Sequence, residues 1–71
     1  MTWAVCMDNK GCEVSLEIRK LYQLVPDEKS AQRGCVRVID ESGEDYIYPA
    51  EMFIALPVSA PVEARLHALV A

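Results

Sequence analysis

The strongest constraint in this sequence is an alternation of apolar and polar residues that stops, again and again, at proline, glycine or acidic residues. Alternation with a period of two places every second side chain on the same face, which is the pattern of a β-strand and not of a helix. Residues 3–7, 35–40, 45–48 and 53–56 follow this pattern. Because these runs are short and are separated by turn-forming residues, the sequence predicts a small, mainly β fold.

The segment 14–25 is the least regular part of the pattern. Alternation begins at Val14, is interrupted by the basic pair at 19–20, and resumes with a shifted phase at Leu21. We interpret this segment as one strand with a bulge or bend near residues 18–20. A helix is the alternative, but the β-branched and aromatic residues on either side favour a strand.

Two turn signals lie on either side of the next predicted strand. Residues 27–34 are polar, and they indicate a single helical turn or a polar loop that Asp27 could cap and that Gly34 could end with a positive φ. Residues 41–44 separate two runs that are rich in β-forming residues. This spacing predicts a tight hairpin in which Gly43 adopts a positive φ.

Prolines mark the end of the hairpin and the end of the last strand. Pro49 cannot donate a hydrogen bond to a sheet, so we expect the hairpin to end there, before a tight turn at residues 50–52. Beyond Pro57 the pattern is helical, because Val62, Leu66 and Leu69 can share one side of a helix over about residues 60–70. A helix this short is marginal alone and must pack against something.

The length of 71 residues allows one domain, which we expect to span residues 1–71, with the β part over about residues 2–57. No export signal or membrane span is visible, which predicts a cytoplasmic protein with no membrane partner. Three cysteines without paired spacing, at positions 6, 12 and 35, are typical of a compartment in which thiols stay reduced.

The balance of charge argues against nucleic acid as a partner. The chain has a net charge of −4, with 11 acidic residues against 7 lysines and arginines, and the basic residues are scattered. Nucleic-acid binding depends on clustered cations that release counterions from phosphates. We therefore expect no nucleic-acid partner.

The order of the predicted elements resembles the small five-stranded barrels of the Src-homology-3 (SH3-like) kind. Residues 43–54 resemble the distal hairpin and the proline-started single helical turn that precede the last strand of such barrels. The chain is also similar to a group of small uncharacterised bacterial proteins that carry a D-E-S-G-E-D-Y-x-Y-P run and an L-E-I-R-K-L-Y segment. The resemblance implies a mainly β, SH3-like barrel with a short C-terminal helix, a fold that hosts unrelated functions.

In peptide-binding barrels of this kind, the resemblance implies a groove lined at the positions that Ile47, Pro49 and Met52 occupy here, with acidic loop residues that pair with a ligand arginine. Those proteins have a tryptophan at the start of the strand before the distal hairpin, where this chain has Val36 and Arg37. This departure argues against an aromatic groove for proline-rich ligands.

The aromatic residues divide into core and surface candidates. We expect Trp3, Tyr48 and Phe53 to fill the core, because a small barrel needs large side chains. Tyr22 and Tyr46 are the better candidates for a binding surface, since exposed tyrosine offers a rigid apolar ring with a polar tip. We therefore predict a non-enzymatic protein-interaction or self-assembly module that binds another protein or a second copy of itself.

The apolar content favours a homodimer. Hydrophobic residues make up 52% of the chain, a high share for a domain with so much surface. We predict that the side of the C-terminal helix that carries Val62, Leu66 and Leu69 contributes to the contact between copies.

The alternative function is a small catalytic or metal-dependent domain that uses Cys12 or Cys35 with the acidic hairpin. Four carboxylates lie at positions 40, 41, 44 and 45, but a solvated turn explains them more simply, and the spacing of a calcium loop is missing. The chain has no C-x-x-C pair and a single histidine, His67. We therefore predict no metal, no cofactor and no catalytic residue.

Overall fold

The computed structural model describes residues 2–70, and most of its ordered elements are strands. In chain order, they are β1 (Thr2–Cys6), β2 (Leu21–Val25), α1 (Glu28–Gln32), β3 (Cys35–Ile39), β4 (Asp45–Pro49), a 3₁₀ turn (Ala50–Met52), β5 (Phe53–Leu56) and α2 (Ala60–Val70). The predicted mainly β character is confirmed, and α2 covers the range that the helical spacing predicts.

All five strands form one antiparallel sheet in the order β4-β3-β2-β1-β5. β4 and β5 therefore lie at opposite edges, and within residues 2–70 they do not pair with each other. The sheet is open along these two edges. Its closure into an SH3-like barrel stays a prediction.

The inner face of the sheet carries the hydrophobic core. Side chains from every strand meet there with one leucine from the loop before β2: Ala4, Cys6, Leu16, Tyr22, Val38, Tyr48 and Phe53. The rings of Tyr22 and Tyr48 meet the Phe53 ring edge to face, with centroids 6.3 and 6.2 Å away. The prediction that Tyr48 and Phe53 fill the core is confirmed.

The outer face of the sheet holds the single tryptophan. Trp3 lies beside Gln23 and Leu56 in the register and alternates with the core residue Ala4, so its side chain lies on the face opposite the core. It is only 1% exposed, and its ring meets the ring of His67 on α2 edge to face at 5.6 Å. Trp3 is buried as predicted, but it packs beneath α2 and not in the inner core.

The strand predicted over residues 14–25 is wrong in its first half. Only Leu21–Val25 is a strand. Before it, two backbone N–H groups donate to the Cys12 carbonyl at 3.0 and 2.9 Å and form a turn, which leaves Val14 95% exposed and Leu16 fully buried. Arg19 has a φ of 71°, so the predicted bend is present, and it separates this turn from β2.

The local turn signals around β3 are confirmed. The Asp27 carboxylate accepts a hydrogen bond from the Ser30 N–H at 3.2 Å and caps α1. In the hairpin between β3 and β4, the Gly43 N–H donates to the Asp40 carbonyl at 3.0 Å, and Gly43 has a φ of 83°. The hairpin fixes the position of β4 at the edge of the sheet.

Candidate functional site

The main chain of β4 has hydrogen-bonding groups that face away from the sheet. The Asp40 N–H donates to the Glu44 carbonyl at 3.1 Å, and the Ala50 N–H donates to the Gly34 carbonyl at 2.9 Å, in one continuous register between β3 and β4. Hydrogen-bonded pairs alternate along an antiparallel ladder, so Tyr46 and Tyr48 bond to β3. The N–H and C=O groups of Asp45 and Ile47 therefore face outward, and within residues 2–70 they have no partner.

Exposed side chains accompany this free main chain. Tyr46 is 50% exposed and Ile47 is 52% exposed, and Pro49 is exposed at the end of the strand. Met52, in the 3₁₀ turn, is half-buried and packs against the core. Three of the predicted binding residues therefore lie together on β4, and Met52 contributes mainly to packing.

Three depressions of about 410, 400 and 380 Å³ border the strand. The first is lined by residues that include Ile39, Glu44 and Asp45, and the second by residues that include Asp40, Ser42 and Tyr48. The third lies toward α1, and its lining includes the ion pair of Asp27 and Arg37 together with Lys29, Arg33, Cys35 and Ile47. We call Asp45–Pro49 and these depressions the β4 edge.

The two ends of the β4 edge carry opposite charges. At the start of the strand, Glu44 has no cationic partner within the described part of the chain, and Asp45 shares the Arg37 guanidinium with Asp27 at 3.2 and 2.8 Å. At the other end, Lys29 and Arg33 line the depression beside Ile47, and neither side chain has an ion-pair partner in residues 2–70. The sequence shows these charges but does not predict where they lie, because the positions of Lys29 and Arg33 depend on how α1 packs against β3.

A buried polar cluster holds the hairpin behind β4. The Tyr48 hydroxyl donates to the Asp40 carboxylate at 2.6 Å, and the Ser42 N–H donates to it at 2.9 Å. Burial opposes ionisation of Asp40, but these hydrogen bonds outweigh it and lower its pKa. Burial, with the bond to Asp40, raises the pKa of Tyr48 to about 12, so this hydroxyl is a neutral donor at pH 7.

Tyr22 lies in a second cluster, and its predicted exposure is wrong. It is 4% exposed because its ring packs against Phe53 in the core. Its hydroxyl accepts from the Glu17 N–H at 2.8 Å and donates to Glu41, which also accepts from Lys20 at 2.6 Å. Burial and the bond to Glu41 raise the pKa of Tyr22. The side chain anchors the loop before β2 and has no free surface for a partner.

The residues predicted for a contact between copies lie on α2. Val62 is 47% exposed, Leu66 is half-buried and Leu69 is 82% exposed. Leu69 also lines a depression of about 440 Å³ whose lining includes Trp3 and Gln23. The structure does not bring these α2 residues to β4.

The cysteines and the histidine do not form a site together. Cys6 is buried in the core, where burial raises the pKa of its thiol, while Cys12 packs against the same core and Cys35 lines the outer depression toward α1. The described residues contain no group of three or more His, Cys, Asp or Glu side chains placed to hold a metal ion. His67 contacts Trp3 and Glu63 on the outer face.

Comparison of the sequence with protein-family models and with curated proteins, and of the structure with solved structures, finds no match. Neither helix in residues 2–70 has the length and the apolar character needed to cross a membrane.

Proposed function

We propose that this chain is a non-enzymatic protein-interaction or self-assembly module, built as an SH3-like small barrel that is open between β4 and β5, and that the β4 edge is its binding surface. The observation that carries the proposal is the free main chain of Asp45 and Ile47 beside the half-exposed side chains of Tyr46 and Ile47. An uncovered edge strand is a template for pairing with another chain, and main-chain hydrogen bonds then supply affinity while flanking depressions supply specificity.

The SH3-like part of the proposal is supported by the order of the elements. The tight hairpin of β3 and β4, the proline-started turn at Ala50–Met52 and the short last strand β5 follow each other as in such barrels. Because barrels of this kind host many functions, this likeness alone assigns none.

A matched pair of variants tests the surface. Ile47 on β4 and Ile54 on β5 are both 52% exposed and both lie on edge strands. Tagged wild type, Ile47→Asp and Ile54→Asp are used as baits in a lysate of the native host that also contains an untagged copy, and bound proteins are quantified by mass spectrometry. We expect a protein, the untagged copy included, that wild type and Ile54→Asp retain and that Ile47→Asp loses at least about tenfold.

Equal recovery with Ile47→Asp and wild type would contradict the β4 edge as the binding surface. Elemental analysis and thiol titration of the purified protein address the catalytic alternative. Stoichiometric zinc, or one abnormally reactive cysteine among the three, would favour a chemical function instead.

A further inference from the structure

We propose that the occupant of the β4 edge is the β4 edge of a second copy of this chain, so that two five-stranded sheets join into one continuous sheet. This inference rests on the proposed interaction function and names its partner. The hydrogen-bonding direction of β4 and the charges at its two ends support a second copy as the partner.

A twofold axis beside Ile47 gives each outward N–H of β4 an acceptor in the other copy. In an antiparallel pair centred there, each Ile47 N–H donates to the Ile47 carbonyl of the other copy, and each Asp45 N–H donates to the other Pro49 carbonyl. Pro49 has no N–H to offer, but in this register it needs only to accept. Every outward N–H of β4 then has an acceptor, and the apolar Ile47 side chains meet at the centre.

The same register brings opposite charges together. Asp45 lies opposite Pro49 of the other copy, and Pro49 pairs with Cys35 on β3. Neighbouring strands are about 4.8 Å apart, so Asp45 of one copy lies about two strand spacings from Cys35 of the other and from the cations that line the depression beside Cys35. This distance is within reach of the long side chains of Lys29 and Arg33, which have no ion-pair partner in the described chain.

A second copy fits the β4 edge better than a strand of one charge. A basic strand would match Glu44 and Asp45 but would meet Lys29 and Arg33 at the other end, and an acidic strand would have the opposite conflict. A twofold axis exchanges the two ends, so that each acidic end meets a basic end. Isologous interfaces are self-complementary in this sense.

The first test measures mass in solution by light scattering and sedimentation equilibrium. We expect wild type at twice the 7.9 kDa of the chain. Ile47→Pro removes an outward N–H and keeps the ladder to β3, so it should raise the dissociation constant at least about 30-fold, whereas Ala55→Pro on β5 should leave it unchanged. A monomeric wild type at high protein concentration would overturn the proposal.

The second test exchanges charges and does not depend on proline. Asp45→Arg and Arg33→Asp each give residues 45 and 33 the same charge at both ends of the interface, while Lys29 stays in place, so each variant alone should dimerise at least about tenfold more weakly than wild type. Mixed together, they should form a heterodimer, because both ends are again opposite in sign. A mixture that remains monomeric, or single variants that dimerise as wild type does, would overturn the proposal.

These results are separable from the proposed function. If the chain is monomeric while another protein is captured by wild type and lost with Ile47→Asp, the second copy is the wrong occupant and the interaction function stands. If neither self-association nor capture depends on Ile47, both proposals fail.

Discussion

The two edges of the sheet look alike by side-chain exposure and differ in their main chain. Ile47 on β4 and Ile54 on β5 have the same exposed fraction, 52%. On β4, however, both Asp45 and Ile47 present an N–H and a carbonyl to the outside. On β5, one of the two outward N–H groups is already bonded within the chain.

The loss at β5 follows from the residues at its ends. The Met7 N–H donates to the Met52 carbonyl at 2.8 Å, so in the register with β1 the outward residues of β5 are Phe53 and Ala55. The Phe53 N–H is already bonded to the Ala50 carbonyl, and Pro57, next in line, has no N–H. Among the described residues of β5, Ala55 then keeps the one free outward donor, so β5 offers a partner strand one N–H where β4 offers two.

An exposed apolar residue on an edge strand is therefore a weak indicator of a binding surface. Short edge strands, proline and local turns are the means by which native sheets avoid edge-to-edge pairing. β5 has four residues and lies between the 3₁₀ turn and Pro57, and the turn takes up one of its outward N–H groups. β4 has five residues and also ends at a proline, but both of its outward N–H groups are free within residues 2–70. We expect the two edges to differ in solution as they do in the structure.

Amide hydrogen exchange should show the largest contrast. At concentrations at which the chain dimerises, the amides of Asp45 and Ile47 should exchange at least about tenfold more slowly than in diluted wild type. The Asp45 amide should also exchange more slowly than it does in Ile47→Pro, a variant that has no amide hydrogen at position 47. The Ala55 amide should exchange rapidly throughout. The amides of Tyr46 and Tyr48, which face β3, serve as the control because they should be protected under all conditions. Protection of Ala55 in place of Ile47 would reverse the assignment of the two edges.

The next effect is on stability, and it concerns the cluster that holds β4 from behind. Tyr48→Phe removes the hydroxyl that donates to the buried Asp40 carboxylate at 2.6 Å. A buried acceptor left without its donor costs about 1–3 kcal/mol, so the free energy of unfolding should fall by that amount in a urea titration. Tyr46→Phe is the control, since its hydroxyl bonds to Glu44 at the surface and its loss should cost about 0.5 kcal/mol or less. Equal losses for the two variants would contradict the role of the Asp40 cluster.

The hairpin that carries the β4 edge could be predicted from the sequence because its signals are local. Gly43 allows the turn, Pro49 ends the strand, and alternation places Tyr46 and Ile47 on opposite faces. The boundary of β2 could not be predicted in this way. Leu16 is buried by tertiary contacts of the loop, among them the bond from the Glu41 N–H to the Ser15 carbonyl at 3.1 Å.

The candidate site was predictable only in its side chains. Tyr46, Ile47 and Pro49 lie on one strand, as the pattern indicates, but Tyr22 is buried because it meets Phe53, a residue distant in the sequence. Period-two alternation does not show which backbone groups face a neighbouring strand. The free main chain of Asp45 and Ile47 therefore appeared only with the strand order.

Acid should weaken the half of the molecule that carries β4. The carboxylate of Asp27 accepts hydrogen bonds from Ser30 and Arg37, which lower its pKa from 3.8 to about 2, and the pKa of Asp40 is lowered as well. A carboxylate whose pKa is lower in the folded state stabilises the fold above its unfolded pKa, and this contribution is lost as the pH falls through the folded value. The side of the sheet formed by α1, β3 and β4 should therefore lose stability between about pH 4 and pH 2, whereas the strand residues of β5 include no carboxylate.

Urea titrations of the Ile47→Pro chain at pH 5 and pH 2.5 test this prediction without a contribution from dimer dissociation. Asp27→Asn should reduce the fall in the urea midpoint between the two pH values, because the asparagine does not titrate. Glu28→Gln is the matched control: its side chain makes no hydrogen bond or ion pair in residues 2–70, so the fall should be the same as in its parent. If Asp27→Asn and Glu28→Gln gave the same pH dependence, the contact of Asp27 with Ser30 and Arg37 would not be what stabilises the β4 side of the sheet.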